Sequence, residues 1–249
     1  MQSITRAMSV AKVLAAHAND KGISISELSK QCELPLSTMH RLLQAMIKQS
    51  MVEQDEHSKL YRLGMVWLEY GLQVYDTIDY VSKVRPELER LSKEVEESVY
   101  LSKPVGIEAM IVERIDSENN PIRIYDQLGL RIPMHIGAAN KSMLAAMPSS
   151  QSESILSQLL PVGEIPNFLQ TLSHITKQGY AISHSERTEG TSSIAVSIKD
   201  SLGQIIGAIS VGVVSFNLTE ERLAFLTSKV IETGNNISAK LKSSNSAPS

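Results

Sequence analysis

Between Ser24 and Gln49 the sequence specifies two helices and the break between them. Ser24 and Glu27 stand in the S-x-x-E arrangement of a capping box, which starts a short helix reaching Cys32. Glu33, Leu34 and Pro35 end it, and a second periodic segment runs from Leu36 to Gln49 with Leu36, Met39, Leu43, Met46 and Ile47 on one face. Ahead of them, residues 3–18 carry Ile4, Ala7, Met8, Ala11, Leu14 and Ala15 at three- and four-residue spacing, the mark of an amphipathic helix. Asn19, Asp20, Lys21 and Gly22 form the turn that follows. After them, Met51 to Gln54 and Leu60 to Leu63 read as two short strands around the polar tip 55–59. Three helices and a hairpin predict a winged helix-turn-helix, an α unit with a small β wing.

The opposite face of the third helix offers Ser37, Thr38, His40, Arg41, Gln44 and Lys48, with no acidic residue in the stretch. Gln pairs bidentately with adenine, Arg with guanine, and Ser or Thr serve bases or phosphates, so this inventory suits a major-groove reader. Lys59 and Arg62 on the hairpin add basic contacts. The whole chain, with a formal net charge of -3, gives no global footprint for nucleic acid, so the DNA reading rests on this local patch.

The 249 residues, 42% hydrophobic and 20% charged, suffice for two domains. No run approaches the ~18 to 20 apolar residues that span a bilayer, and Met1 to Val10 lacks a signal-peptide core, so a cytoplasmic protein with no membrane partner is expected. The single cysteine, Cys32, excludes an intrachain disulfide and a multi-cysteine metal site; it reads as a small buried hydrophobe.

Residues 64–80 are apolar, with Met65, Val66, Trp67, Leu68, Leu72 and Val74, and fit a linker helix buried in an interface. A helix from Pro86 to about Glu97 turns Leu88, Leu91 and Val95 inward. Strands are expected at 99–104, 108–115 and 122–127, with Asn119, Asn120 and Pro121 turning between the last two. Helices follow at 139–147, 152–160 and 166–178, then strands at 180–184, 193–199 and 204–214, the last two joined by Asp200 to Gly203. A final helix, capped by Asn217 and Glu220, runs to about Lys242 before a disordered tail. Antiparallel strands with helices set apart predict α+β. The expected organisation is therefore 1–63 winged helix-turn-helix, 64–80 linker helix, 81–243 effector-binding domain and 244–249 disordered tail.

Several segments together resemble the IclR family of bacterial regulators. They are residues 3–10, 25–29, 34–43 and 61–64, then Pro133-Met134-His135 with Ala138 to Ala145, Gln178 to Ala181, Glu186 to Gly190, Ser193 to Val196 and Gly207 to Val211, in the family's order and spacing over about residues 3–240. The resemblance implies a GAF/profilin-like effector domain with an antiparallel sheet, a homodimer or a dimer of dimers, and a near-palindromic double-stranded operator. Within the pattern Leu36 replaces a basic or polar residue. Ser50 replaces a helix-ending glycine, at a cost of ~1 kcal/mol for the left-handed cap.

The resemblance places the effector against the C-terminal sheet at Ala138, Ala139, Ser183, Ser193 and Ser210, with Ser183 where relatives carry Asp and Ser193 where many carry Cys. Hydroxyls donate to carboxylates or sugar hydroxyls, and the N–H groups of Ala138 and Ala139 near a helix start add an anion nest, so a small polar or carboxylated metabolite is the expected effector. A rival reading gives His135, His184, Glu186 and Glu189 a divalent metal or acid-base chemistry. No H-E-x-x-H spacing, phosphate loop or nucleophile elbow accompanies them, so neither a cofactor, a metal nor a catalytic residue is expected, and Glu186 is read as a backbone acceptor. The rival class is an enzyme or sensor whose N-terminal helices serve only oligomerisation, which would place apolar residues where Ser37, Arg41, Gln44 and Lys48 stand.

Overall fold

The structure, a computed structural model, describes the chain apart from residues 1, 19, 121–123, 125 and 244–249, and gives the backbone alone at 2, 79, 80, 82, 217, 242 and 243. Its packing divides into two units, residues 1–78 and 79–249.

The first unit runs α1 (Gln2–Ala16), α2 (Ile25–Gln31), α3 (Leu36–Lys48), β1 (Val52–Gln54), β2 (Tyr61–Leu63) and α4 (Val66–Asp76). Ser24 caps α2 by accepting from the Glu27 N–H at 3.2 Å, and the Glu27 carboxylate accepts from Gln31 one turn on. Val10, Leu14, Ile23, Leu28, Met39, Leu43, Met46, Val52 and Tyr61 form one core, which draws residues from α1, α2, α3 and both strands. The stripes differ in detail from those expected. Ile4 and Met8 on α1 and Leu36 on α3 are exposed, because Val10 and Leu14 on α1 and Met39 and Leu43 on α3 already fill the space between the helices.

The wing strands pair Val52 with Leu63 and Gln54 with Tyr61. At the tip Asp55 accepts from the N–H groups of His57 and Ser58 and from the Ser58 hydroxyl, and these bonds hold its carboxyl below the usual range. Ser50, after α3, takes the left-handed conformation (φ 54) foreseen for it. Gly64 lies so close to this corner that a Cβ there would sit 2.1 Å from the Ser50 carbonyl oxygen, so no other residue fits. On α4 no side chain is buried, and Leu68, Tyr70, Leu72 and Val74 are exposed in the single chain.

The second unit begins with α5 (Asp79–Val95), which starts seven residues before the Pro86 start expected. Val81 and Val84 extend the buried stripe of Leu88, Leu91 and Val95 in front of the proline, so burial carries the helix through it. Then come β3 (Ser98–Val105), β4 (Glu108–Ile115), β5 (Arg131–Pro133), α6 (Ala138–Ala146), α7 (Ser149–Leu159), α8 (Ile165–Gln178), β6 (Ala181–His184), β7 (Thr191–Lys199), β8 (Ile205–Val214) and α9 (Glu220–Ser243). The strands form one antiparallel sheet in the order β5-β4-β3-β8-β7-β6. The strand expected at 122–127 lies partly outside the described residues, and its described members Ile124, Asp126 and Gln127 are in no strand. The edge strand next to β4 is instead β5, too short to show a period of its own. The expected cap of α9 is also corrected: Thr219 accepts from the Arg222 N–H at 3.1 Å.

Strand alternation gives the sheet two different faces. Val99, Leu101, Val196, Ile198, Ile209 and Val211 point to one face; the residues between them form the other. On that second face Ala109, Ala181, Ala195 and Ala208 are small, and α6 packs against them through Ala138, Met143 and Leu144. Beyond the helix the same face continues as Tyr100, Ser102, Ser183, Ser193 and Ser210. Among the described residues no helix is long and apolar enough to cross a membrane.

Candidate DNA-reading face and effector cleft

Helical periodicity alone separates the core of α3 from its outer face. With Met39, Leu43 and Met46 buried, Ser37, His40, Arg41, Gln44 and Lys48 are exposed and Thr38 is half-buried. Among the described residues none of these six side chains carries a hydrogen bond or ion pair. Their donors and acceptors therefore meet only solvent and remain free for a base edge or a phosphate. Lys59 stands exposed at the wing tip with φ 59. Arg62 differs from the reading as a free cation: its Nε donates to Glu53 Oε2 across the hairpin at 3.2 Å.

In the second unit a cleft of about 690 Å³, open mouth included, lies over the polar part of the sheet. Ala138, Ala139, Ser183, Ser193 and Ser210 all line it. All five come from one sheet face and one helix start: β6 and β7 pair Ser183 with Ser193 directly, Ser210 follows on β8, and Ala138 and Ala139 open α6. The Ser183 and Ser193 hydroxyls are 2.7 Å apart, so one O–H is committed between them and they offer fewer donors than three independent serines.

The start of α6 also departs from an empty anion nest. Gly137 precedes it with φ 87, and its N–H donates to Glu186 Oε2 at 2.8 Å, while Lys141, buried in α6, pairs with Glu186 Oε1. A carboxylate of the protein therefore already lies at this helix N-terminus, where the backbone dipoles favour negative charge.

Sequence reasoning missed several residues of the lining. Tyr100 on β3 donates from its hydroxyl to the Ile124 carbonyl; burial first, then the Asp126 charge, push the phenol up to about 12, which keeps it a donor. Ser102 follows two residues later on the same face, so alternation along β3 was a signal for it. Asp126 and Arg187 form an ion pair of 2.6 Å across the lining from segments that carry no periodicity.

Among the four groups weighed for metal chemistry, His184 Nδ1 lies 2.9 Å from the Ser192 hydroxyl, Glu186 is bound as above and Glu189 is exposed. His135 Nδ1 is buried with no hydrogen-bond partner among the described residues. The described residues contain no group of three or more His, Cys, Asp or Glu placed to hold a metal ion.

The model of the IclR C-terminal domain of bacterial transcriptional regulators matches residues 72–239, and the IclR helix-turn-helix model matches residues 3–56. The regulator KipR of Bacillus subtilis (strain 168) is 31% identical over 226 residues, 88% of this chain and 90% of its own length. The transcriptional repressor AllR of Escherichia coli (strain K12) is 28% identical over 247 residues, 96% and 90% of the two chains. The structure of an IclR homolog from Microbacterium hydrocarbonoxydans, complexed with 4-hydroxybenzoate, superposes with a TM-score of 0.79 at 21% identity, covering 97% of this chain and 99% of that one. An N-terminal helix-turn-helix unit, a C-terminal sheet with a cleft on its polar face, and these matches over most of the chain make it a member of the IclR family of bacterial transcription regulators, not an enzyme.

Proposed function

We propose that this regulator is a repressor that binds a near-palindromic double-stranded operator as a dimer, and that a small polar or carboxylated metabolite in the C-terminal cleft controls its affinity. The observation that carries the DNA part is the outer face of α3, where Ser37, Thr38, His40, Arg41, Gln44 and Lys48 are uncommitted and no acid intervenes. Gln44 and Arg41 read base edges; Lys48 and Lys59 anchor phosphates, and Arg62 does so after exchanging Glu53 for DNA. The exposed apolar side chains of α4, Leu68 and Leu72 among them, favour burial against a second copy, which sets two reading helices on one duplex.

Residues 1–63 then carry the reader, 64–80 the linker and 81–243 the sensor, with the protein acting in the cytoplasm beside its DNA. The naming of AllR as a repressor supports the direction of control, and the 4-hydroxybenzoate held by the Microbacterium homolog supports a small carboxylate as ligand. The test is a gel shift with the full-length protein and the DNA upstream of its own gene, at two salt concentrations. Specific retardation that weakens with salt, and that Arg41→Ala loses, is the expected result. Equal retardation of random DNA at both salts contradicts it.

A further inference from the structure

The charged groups of the cleft differ in how fully they are engaged. Among its described lining residues Arg187 is the one basic side chain, and Asp126 and Glu186 are the two acidic ones. Glu186 is fully engaged, with one oxygen on the Gly137 N–H and the other on buried Lys141. Arg187 is not: its Nη1 meets Asp126 Oδ2 at 2.6 Å, and among the described residues its other N–H groups have no partner. A guanidinium presents five N–H donors in a planar fork, so Asp126 occupies one edge and leaves another that matches a carboxylate.

Asp126 is itself held, because Arg114 donates to its backbone carbonyl at 2.9 Å and its carboxylate lies near enough to Tyr100 to raise that phenol. It fixes the direction in which the guanidinium points. On the floor, Ser102 and Ser210 are 5% and 7% exposed and line the cleft, and their hydroxyls have no hydrogen-bond partner among the described residues. Hydroxyls that open onto the cleft in this state can donate to or accept from oxygen or nitrogen atoms of an occupant.

We propose that the effector is a small hydroxylated monocarboxylate: its carboxylate docks on the open edge of Arg187, and its hydroxyl or carbonyl oxygens meet Ser102 and Ser210. Asp126 is a positioning residue for that guanidinium. This rests on reading the cleft as the effector site. A single negative charge suits it better than a phosphate, because with Glu186 already paired to Lys141 the one cation left for an occupant is a guanidinium shared with Asp126, which cannot balance a dianion.

The test is calorimetric titration of the full-length protein with D-glycerate and L-threonate, against glycerol, erythritol and glycerol 3-phosphate. The acids are expected to bind, with the polyols and the phosphate weaker by about tenfold or more. Arg187→Gln is expected to weaken the acids by about ten- to a hundredfold and to erase their advantage over the polyols, with Arg187→Lys intermediate. Ser102→Ala and Ser210→Ala are expected to weaken the acids several-fold, and Asp126→Asn to weaken them less than Arg187→Gln does. Melting of each ligand-free variant within a few degrees of the native protein shows that the fold is kept; a variant that melts earlier is replaced by Arg187→Met.

The assignment is overturned if neither acid binds at up to about 10 mM, if the polyols or the phosphate bind as well as the acids, or if a folded Arg187 variant binds the acids like the native protein. If an acid binds through Arg187 yet leaves affinity for the upstream DNA unchanged, this assignment holds and the regulatory reading of the cleft fails.

Discussion

The two working surfaces of the molecule are built on different plans. The proposed reading face lies on one continuous helix, α3, whose period alone places Ser37, Arg41, Gln44 and Lys48 on the side opposite Met39 and Leu43. The cleft is assembled from β3, β6, β7, β8, the start of α6 and the loops at 126 and 187, so that cross-strand neighbours such as Tyr100 and Ser210 lie far apart in sequence. A surface on one helix tolerates single changes independently, whereas in a cleft whose hydroxyls, ion pairs and helix start touch one another each change disturbs its neighbours.

The largest effect that would break this comparison comes from the core under α3. Leu43 is fully buried, and Leu43→Ala is expected to cost about 2–5 kcal/mol of stability in the first unit. Denaturant unfolding followed by Trp67, which packs against the same core, measures it, while binding in the cleft should stay unchanged. Loss of cleft binding in step with the unfolding that Trp67 reports, shifted equally by Leu43→Ala, would mean that the two surfaces are not separable.

Arg41→Ala removes one contact from an otherwise independent face. It should cost about 1–3 kcal/mol in affinity for the upstream DNA without moving the melting temperature, read by fluorescence anisotropy alongside thermal unfolding.

The second unit supplies a pH-dependent counterpart. On α5, Glu87 takes a hydrogen bond from Lys240 of α9 at 2.7 Å and another from Arg90 at 3.1 Å. The Lys240 bond, then Arg90, hold its carboxyl below the usual range against the opposing effect of burial. A carboxyl depressed in the folded state stabilises the fold above its unfolded pKa of about 4.3 and loses that contribution as pH falls through the folded value. Glu87→Gln should therefore lower stability by about 1–2 kcal/mol at neutral pH, with the difference shrinking below about pH 4. Equal losses at pH 7 and pH 3 in denaturant titrations would show that packing, not charge, is what Glu87 contributes.

The smallest effect belongs to the wing. Lys59→Ala should weaken binding to all sequences alike and reduce the salt slope by about one unit.

The contrast between the surfaces also explains how much could be read in advance. The helix-turn-helix was legible because the Ser24 cap, the Pro35 break and the apolar period of α3 are local signals, while the left-handed Ser50 came from the family resemblance, which puts a helix-ending glycine at that place. The antiparallel sheet was legible from strand alternation, except at β5, whose three residues are too few to alternate. The pairing of Arg62 with Glu53 depends on hairpin register, and the engagement of the Gly137 N–H by Glu186 spans 49 residues, so neither leaves a local mark. Ala138, Ala139, Ser183, Ser193 and Ser210 came from family resemblance, whereas Asp126 and Arg187 needed the folded chain.

The proposed role of α3 as the element that reads sequence is open to a direct measurement. Selection from a randomised duplex library by the full-length protein, and in parallel by Gln44→Ala, measures this. The account predicts a two-fold symmetric motif for the native protein and, for the variant, relaxed preference at one position in each half-site with a loss of about 1–3 kcal/mol. The same motif recovered at the same strength by Gln44→Ala and by Arg41→Ala would contradict it, and would move the reading of sequence away from this helix.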